Sequence, residues 1–464
     1  MGVSYGGAVA PLVHYGTTDG RWVLAACVLG SGIAFLDSTV VNVALPAIGE
    51  DLDAGVSGLQ WTVNGYLVTL SALVLLGGSL GDRLGRRRVF VVGLIGFAIA
   101  SLLCGLAPTT GALVAARALQ GVAGALLVPG SLAIISATFH PDDRSRAVGA
   151  WSGLAGVTSA IGPFVGGWLV DAVSWRLVFL INLPLTAAAV WIAVRHVPET
   201  FDESAGRPDL AGAVAASAGL AGVTYALIEH APMVGILGVA ALGAFVVVER
   251  RRSEPMLPLA MFRSLQFTGA NLTTLAVYAG LGGALFLLVI HLQESMGYSA
   301  LEAGASLVPF TILMLLLSSR AGQLAQRIGP RLPMTVGPLV AGTGLLLLSR
   351  VEPGVDFSTT VLPAVVVFGL GMTLTVAPLT AAVLAAVDER HLGVGSGVNN
   401  AVARLAGLLA VAALPSLTDS FPAALRACAA VCAAGGVIAW ATVRRGAAVR
   451  PTPQPAFVHP CNES

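Results

Sequence analysis

Apolar residues run along this chain in blocks close to 20 long, separated by short polar stretches. A helix needs about 20 mostly apolar residues to cross the hydrocarbon of a bilayer. Six such blocks come first: Trp22–Pro46, Leu59–Leu80, Val89–Leu106, Gly111–Phe139, Ala147–Val170 and Leu177–Val194. Leu210–Ile228 and Met233–Val248 follow. Phe267–Leu292, Leu301–Leu317, Leu332–Leu348, Val361–Val387, Leu392–Leu414 and Pro422–Val443 complete the pattern, which predicts fourteen spans. An even number puts both ends of the chain on one side. No cleavable signal is expected, because Met1–Arg21 is mildly polar and the first apolar block is too long.

Arginine predicts the side. With the N-terminus in the cytoplasm, 20 arginines fall in the tails and the inner loops. Three, Arg176, Arg350 and Arg426, fall in outer loops, and Arg117 and Arg404 lie inside spans. Basic residues concentrate on the cytoplasmic side of membrane proteins, so both tails, 1–21 and 444–464, are expected there. Composition agrees with a bilayer: 56% of residues are hydrophobic, 11% charged, and mean hydropathy is +0.85, where soluble domains carry about 25% charge. The net charge of +1 gives no basic field for nucleic acid.

All 25 basic residues are Arg. Without lysine, an ordinary Walker phosphate loop and a Schiff-base mechanism are excluded. Of the five cysteines, Cys27, Cys104, Cys428 and Cys432 fall in apolar stretches and read as packing residues; Cys461 lies in the C-terminal tail. No His lies near enough to complete a metal site with Cys428 and Cys432. The histidines lie in tails, loops or near span ends, and HExxH does not occur. No enzyme, metal or cofactor is expected.

A repeat divides the chain. "GSLGDRLGRRRV" from Gly78 and "GQLAQRIGPRLP" from Gly322 share Gly, Leu, Arg, Gly and Arg at an offset of 244 residues. Each follows the second span of a six-span block, the first over 22–194 and the second over 267–443. The intervening 195–266 reads as linkers and two extra spans. Internal repeats build many transporters, with the substrate site between the halves at midplane. Asp82 corresponds to Gln326, so the acid is confined to the first copy.

Four motifs now combine. "GSLGDRLGRRR" follows the second span. "LVAARALQGVAGA" lies in the fourth, with Arg117, Gln120 and Gly121. "GVTSAIGPFVGG" lies in the fifth, with Gly156, Gly162, Pro163, Gly166 and Gly167. "LDSTVVNVALP" lies in the first, with Asp37, Asn42 and Pro46. Together they resemble the major facilitator superfamily, specifically its fourteen-helix drug:proton antiporters, over nearly the whole chain. The resemblance implies an all-α polytopic membrane protein with two six-helix bundles and two extra central helices. It implies proton-coupled export of amphipathic drugs, antibiotics or secondary metabolites across the cytoplasmic membrane by alternating access. Export of a lipid or another metabolite by the same fold is the alternative. The expected partners are a small amphipathic substrate, protons and the bilayer, with a single chain sufficing.

Particular residues carry the chemistry. Asp37 lies about 13 Å below the outer surface, counting back from Pro46. An acid there costs about 2.5–3.5 kcal/mol even on the lenient insertion scale. It reads as a protonatable coupling site or as an acid bonded to backbone groups. Arg117, about 9 Å deep, is its candidate partner. The resemblance implicates this Arg in proton transfer; a structural lock between helices is the other reading. Asp82 falls where the macrodipole of the second helix disfavours an anion. The resemblance makes it a latch between the halves, positioned by Arg86 and set with Arg83, Gly78 and Gly85; the other reading makes all these charges topology anchors. The fifth-span glycines with Pro163 fit a hinge or seal, or tight packing alone. Arg404, about 18 Å deep, has no acid at its depth in the second half. Backbone carbonyls, water, or an anionic or phenolic part of a substrate could meet it. Asn42, Gln120, Asn399, Asn400 and Arg404 form the candidate substrate pathway, and Glu294 and Glu302 read as rim charges.

Overall fold

The computed structural model describes residues 12–202, 206, 208–252, 255–387 and 392–444. The predicted tail residues 1–11 and 445–464, with Cys461, lie outside them. Among the described residues, fourteen helices are long and apolar enough to span a membrane. In chain order they are α1 (Thr18–Asp51), α2 (Val56–Leu84), α3 (Arg86–Gly105), α4 (Thr110–Thr138), α5 (Pro141–Ala172), α6 (Leu177–His196) and α7 (Leu210–Ile228). Then come α8 (Pro232–Arg251), α9 (Leu265–Glu294), α10 (Ala300–Ile328), α11 (Arg331–Leu348), α12 (Phe357–Leu384), α13 (Val394–Leu417) and α14 (Phe421–Thr442). Each apolar block of the sequence becomes one helix. Several helices outrun their blocks, because polar residues at a helix end still satisfy the backbone ladder while facing water.

The starts and stops have local causes. Hydroxyls of Thr17, Thr109, Ser264 and Ser420 accept from the first-turn amides of α1, α4, α9 and α14. Ser299 and Glu302 form a capping box at α10. Gly85 ends α2 with φ 110° and Gly329 ends α10 with φ 84°, a backbone region that favours glycine. These two glycines hold equivalent places in the sequence repeat, so both copies make the same helix–turn–helix. Two spans are interrupted by proline. Pro184 cannot donate to the Leu180 carbonyl, and α6 breaks between Leu180 and Asn182. Pro309 has the same effect on α10, which breaks at Leu307.

The first six helices pack on one another, as do the last six. We call the end where α1 begins and α14 finishes proximal, and the other distal. Near the proximal end the buried apolar clusters stay within one set: Phe90, Phe97, Ile135 and Phe139 in the first, Phe267, Met334, Leu379 and Ala439 in the second. Near the distal end they cross. Val43 of α1 packs into the second set's core, and Phe286 of α9 and Val411 of α13 pack into the first set's.

The extra pair forms a hairpin in which α8 packs on α7. Leu220 of α7 shares a cluster with Val68 and Ala72 of α2 and Leu408 of α13. At the distal tip, Ser57 Oγ and Trp61 Nε1 donate to Glu229 at 2.7 and 2.8 Å, and Ser416 Oγ donates to the Leu227 carbonyl at 2.9 Å. Thus α7 lies along the seam between α2 and α13, touching both sets.

Candidate functional site

Asp37 and Arg117 meet inside the first six helices. Arg117 Nη1 lies 2.6 Å from Asp37 Oδ2, and both residues are buried, at 1% and 0% exposure. Polar groups of four helices surround the pair. Gln120 Nε2 and Asn182 Nδ2 donate to Asp37 Oδ1 at 2.8 and 3.0 Å. Ser101 Oγ accepts from both amides, at 2.9 and 3.2 Å. Arg117 also donates to Gln120 Oε1 at 2.6 Å and to the Thr62 carbonyl at 3.0 Å. Its guanidinium lies 4.5 Å from the centre of the Tyr66 ring. Removing one partner of a buried ion pair costs about 3–5 kcal/mol, so this cluster is a firm part of the fold unless a proton neutralises the acid first.

Local sequence explains how these side chains converge. Arg117 and Gln120 are three residues apart and share a helix face. The break at Pro184 starts a new helical segment at Asn182, which brings its amide to the level of Asp37. Beside Arg117 lies a cavity of about 90 Å³ lined by Ser38, Asn42, Val63 and Tyr66 of the first set and by Gly282, Gly407 and Val411 of the second. That volume holds about three waters; a drug-sized ligand needs at least about 300 Å³. In this conformation the cavity is therefore too small for such a ligand. Asn42 lines it. Gln120 belongs to the Asp37 cluster instead.

Arg404 lies on α13, where its Nε donates to Asn400 Oδ1 at 2.9 Å. Asn399 Oδ1 accepts from Thr274 Oγ1 of α9 at 2.7 Å. The two asparagines thus have different tasks, one holding the arginine and one tying α13 to α9.

The α2–α3 hairpin keeps its charges local. Arg86 donates through Nε and Nη2 to Asp82 Oδ1 at 2.8 and 2.7 Å. Arg83 is exposed, and Gly78 lies against Pro129 of α4. The segment leaving α6 straps over the turn. The Arg86 and Arg87 amides donate to the Thr200 carbonyl at 2.8 Å and to Glu199 Oε1 at 3.0 Å. Glu199 Oε2 lies 3.6 Å from Nε of both Arg87 and Arg88. The structure pairs the Asp82 carboxylate with Arg86 of its own hairpin, and the Asp82 carbonyl accepts from the Asp202 amide at 2.7 Å.

The fifth-helix glycines divide by neighbour. Gly162 and Gly166 face Thr39 and Val40 of α1, within the first set. A Cβ on Gly167 would overlap the backbone of Ala300 and Leu301, and one on Gly304 would overlap the Pro163 carbonyl, so α5 and α10 cross in direct contact there. Gly156 faces open space.

These features were compared with known proteins. The family model described as Major Facilitator Superfamily matches residues 27–411. The chain belongs to that superfamily. Similar relatives include the tetracenomycin C resistance and export protein of Streptomyces glaucescens, 35% identical over 86% of this chain and 76% of the relative. The multidrug resistance protein Stp of Mycobacterium tuberculosis is 34% identical over 85% of this chain and 75% of its own length. Among solved structures, a peptide transporter POT in complex with sulfate superposes with TM-score 0.72 at 15% identity, covering 92% of this chain and 94% of that one. That likeness concerns the fold, which is the major facilitator fold, all-helical among the described residues.

Within this superfamily member, sequence reasoning missed three contributors to the Asp37 cluster. Asn182 and Ser101 are single polar residues inside apolar blocks, and Tyr66 is one aromatic among many. A polar residue two positions before an intraspan proline was the available signal for Asn182.

Proposed function

We propose that this protein is a proton-coupled antiporter that exports amphipathic drugs, antibiotics or secondary metabolites from the cytoplasm by alternating access. The carrying observation is the buried Asp37–Arg117 pair beside a cavity that both helix sets line. A protonatable acid in that position links proton occupancy to the passage. With Asp37 ionised, Arg117 is neutralised. With Asp37 protonated, Arg117 loses its counter-ion, and the charge presented to the cavity changes by one unit. The names of the relatives support export, and the arginine distribution supports a cytoplasmic proximal end. In this reading residues 22–194 and 267–443 are the two rocking units and 195–266 carries the extra hairpin. Distal contact with proximal separation corresponds to an inward-facing state.

The test is growth of an efflux-deficient host on a panel of toxic amphipathic compounds, with and without a proton uncoupler. Expression should protect, and the uncoupler should remove protection. Asp37→Asn should lower proton-coupled flux in proteoliposomes at least about tenfold, about 1.4 kcal/mol in the barrier, at unchanged membrane abundance. Full resistance in the Asn variant would end the coupling role. Protection against lipid-like compounds alone would favour the lipid exporter.

A further inference from the structure

Two arginines lie deep in the helix sets, and the structure treats them differently. Arg117 has the carboxylate of Asp37 at 2.6 Å. Arg404 has no carboxylate partner among the described residues. Its Nε is held by Asn400 at 2.9 Å, and its guanidinium lies against the Tyr66 hydroxyl of α2, with Tyr278 of α9 nearby. Tyr66 is 1% exposed and its hydroxyl makes no well-aligned hydrogen bond. The Tyr66 ring lies under Arg117, 4.5 Å from that guanidinium. Tyr66 therefore stands between the two cations. Gly407, one turn beyond Arg404 on α13, lines the cavity with Tyr66 and Asn42.

The charge balance of this region is uneven. Asp37 and Arg117 cancel, and Arg404 leaves one positive charge near midplane. An unpaired charge at that depth is costly, and membrane proteins accept it where the charge meets a ligand. With Nε taken by Asn400 and the Tyr66 hydroxyl against the guanidinium, the remaining Nη protons suit a carboxylate or a charged oxygen. Arginine can only donate, so the Tyr66 hydroxyl beside it keeps its own O–H available as a further donor.

We infer that Arg404 and Tyr66 form the recognition site for an organic anion: an amphipathic substrate bearing a carboxylate or an acidic phenol. The inference rests on the export reading above and narrows its substrate class. It also has an energetic consequence. An anion leaving while a proton enters moves charge in one sense, so an inside-negative membrane potential drives both legs. Asn400 acts as a positioning residue, holding the guanidinium of α13 beside Tyr66 of α2.

Binding to purified full-length protein tests this with anthraquinone-2-carboxylate, its methyl ester and ethidium as probes. The acid should bind roughly 10- to 100-fold more tightly than the ester, the range of one charge-assisted hydrogen bond, and ethidium should bind more weakly than the acid. Arg404→Gln should erase the preference by weakening the acid and leaving the ester unchanged; Arg404→Lys, which keeps the charge and loses the guanidinium fork, should retain only part of it. Ester binding in the Gln variant reports that the protein is folded. Equal binding of acid and ester by the wild type, preference for ethidium, no binding of the acid, or equal loss of both ligands in Arg404→Gln each overturns the site. Flux distinguishes the two readings. Intact acid binding without uncoupler-sensitive transport counts against the export mechanism and leaves the anion site standing.

Discussion

The two ends of the interface between the helix sets are held by different chemistry. At the distal end the contacts are close and directional. Gln60 Nε2 of α2 donates to the Val411 and Ala412 carbonyls of α13 at 2.8 and 3.0 Å. Pro415 has no amide to offer Val411, so that carbonyl is free for Gln60. Gln293 of α9 donates to the Val43 carbonyl of α1 at 3.0 Å. Asp171 accepts from the Ala300 and Leu301 amides at 3.1 and 2.8 Å, which places a carboxylate of α5 on the N-terminus of α10. At the proximal end, among the described residues, the ion pairs are local, as in Asp82–Arg86 of the α2–α3 hairpin and Asp209–Arg252 of the extra pair. On the α2–α13 side contact continues as far as Leu75 and Gly397, but on the α5–α10 side Gly149, Gly153 and Gly156 face open space. Distal contacts therefore join the two sets in this conformation, while these proximal ion pairs do not cross between them.

That contrast can be broken most sharply at the crossing. Gly167→Leu would drive a side chain into the Ala300 backbone. Overpacking of this kind costs about 1–3 kcal/mol, a shift of roughly 10- to 100-fold away from the distally closed state. A cysteine at Val41, in the cavity wall, should then react with an impermeant thiol reagent from the distal side. Unchanged reactivity would show that the crossing is not the seal.

Asp82→Asn should act in the opposite direction. It leaves every distal contact in place, so the present conformation should persist. If the acid serves the proximally closed state, turnover should fall about tenfold or less, because the carboxylate is more than a third exposed and water screens its bond. Cysteine probes on the proximal side should report the shifted balance. Normal turnover with unchanged probes would leave Asp82 as part of a topological anchor.

A smaller change is expected from Gln60→Leu. It removes two neutral hydrogen bonds, each worth about 0.5–1.5 kcal/mol, and should raise distal reactivity at Val41→Cys severalfold without abolishing transport. The smallest effect concerns Glu229, where the bonds from Ser57 and then Trp61 lower the carboxyl pKa. A depressed folded-state pKa stabilises above the ordinary carboxylate range and is lost only as pH falls through the lowered value. Thermal stability of wild type and Glu229→Gln should thus run parallel from pH 5 to pH 8 and converge under more acid conditions. The residue is exposed, so the offset should be slight. A divergence centred near neutral pH would contradict the assignment.

Much of this architecture was legible in apolar blocks, because bilayer-spanning helices must be long and greasy. Their ends were less so. The apolar run Leu301–Leu317 becomes a helix reaching Ile328, since Ser318, Ser319 and Arg320 continue the ladder on an exposed face. The meeting of Asp37 and Arg117 was foreshadowed by their similar depths. The Gln60 seal was not, since its partners lie 351 and 352 residues away and are backbone carbonyls with no side-chain signature. The division of the fifth-helix glycines between α1 and α10 was equally hidden, because spacing on a helix does not name the neighbour on each face.

The placement of α7 along the α2–α13 seam has a mechanical consequence. If the two sets move apart distally, the hairpin must slip its mooring on one side. Its tie to α2 is a carboxylate taking two donors, reinforced by the Trp61–Tyr225 ring pair at 6.0 Å. Its tie to α13 at that tip is a single neutral bond from Ser416. Charge-assisted bonds are the stronger kind, so α7 and α8 should travel as passengers of the first set and shear against α13. A disulfide pinning α7 to α2 should then be harmless to transport, whereas one pinning α7 to α13 should stall it.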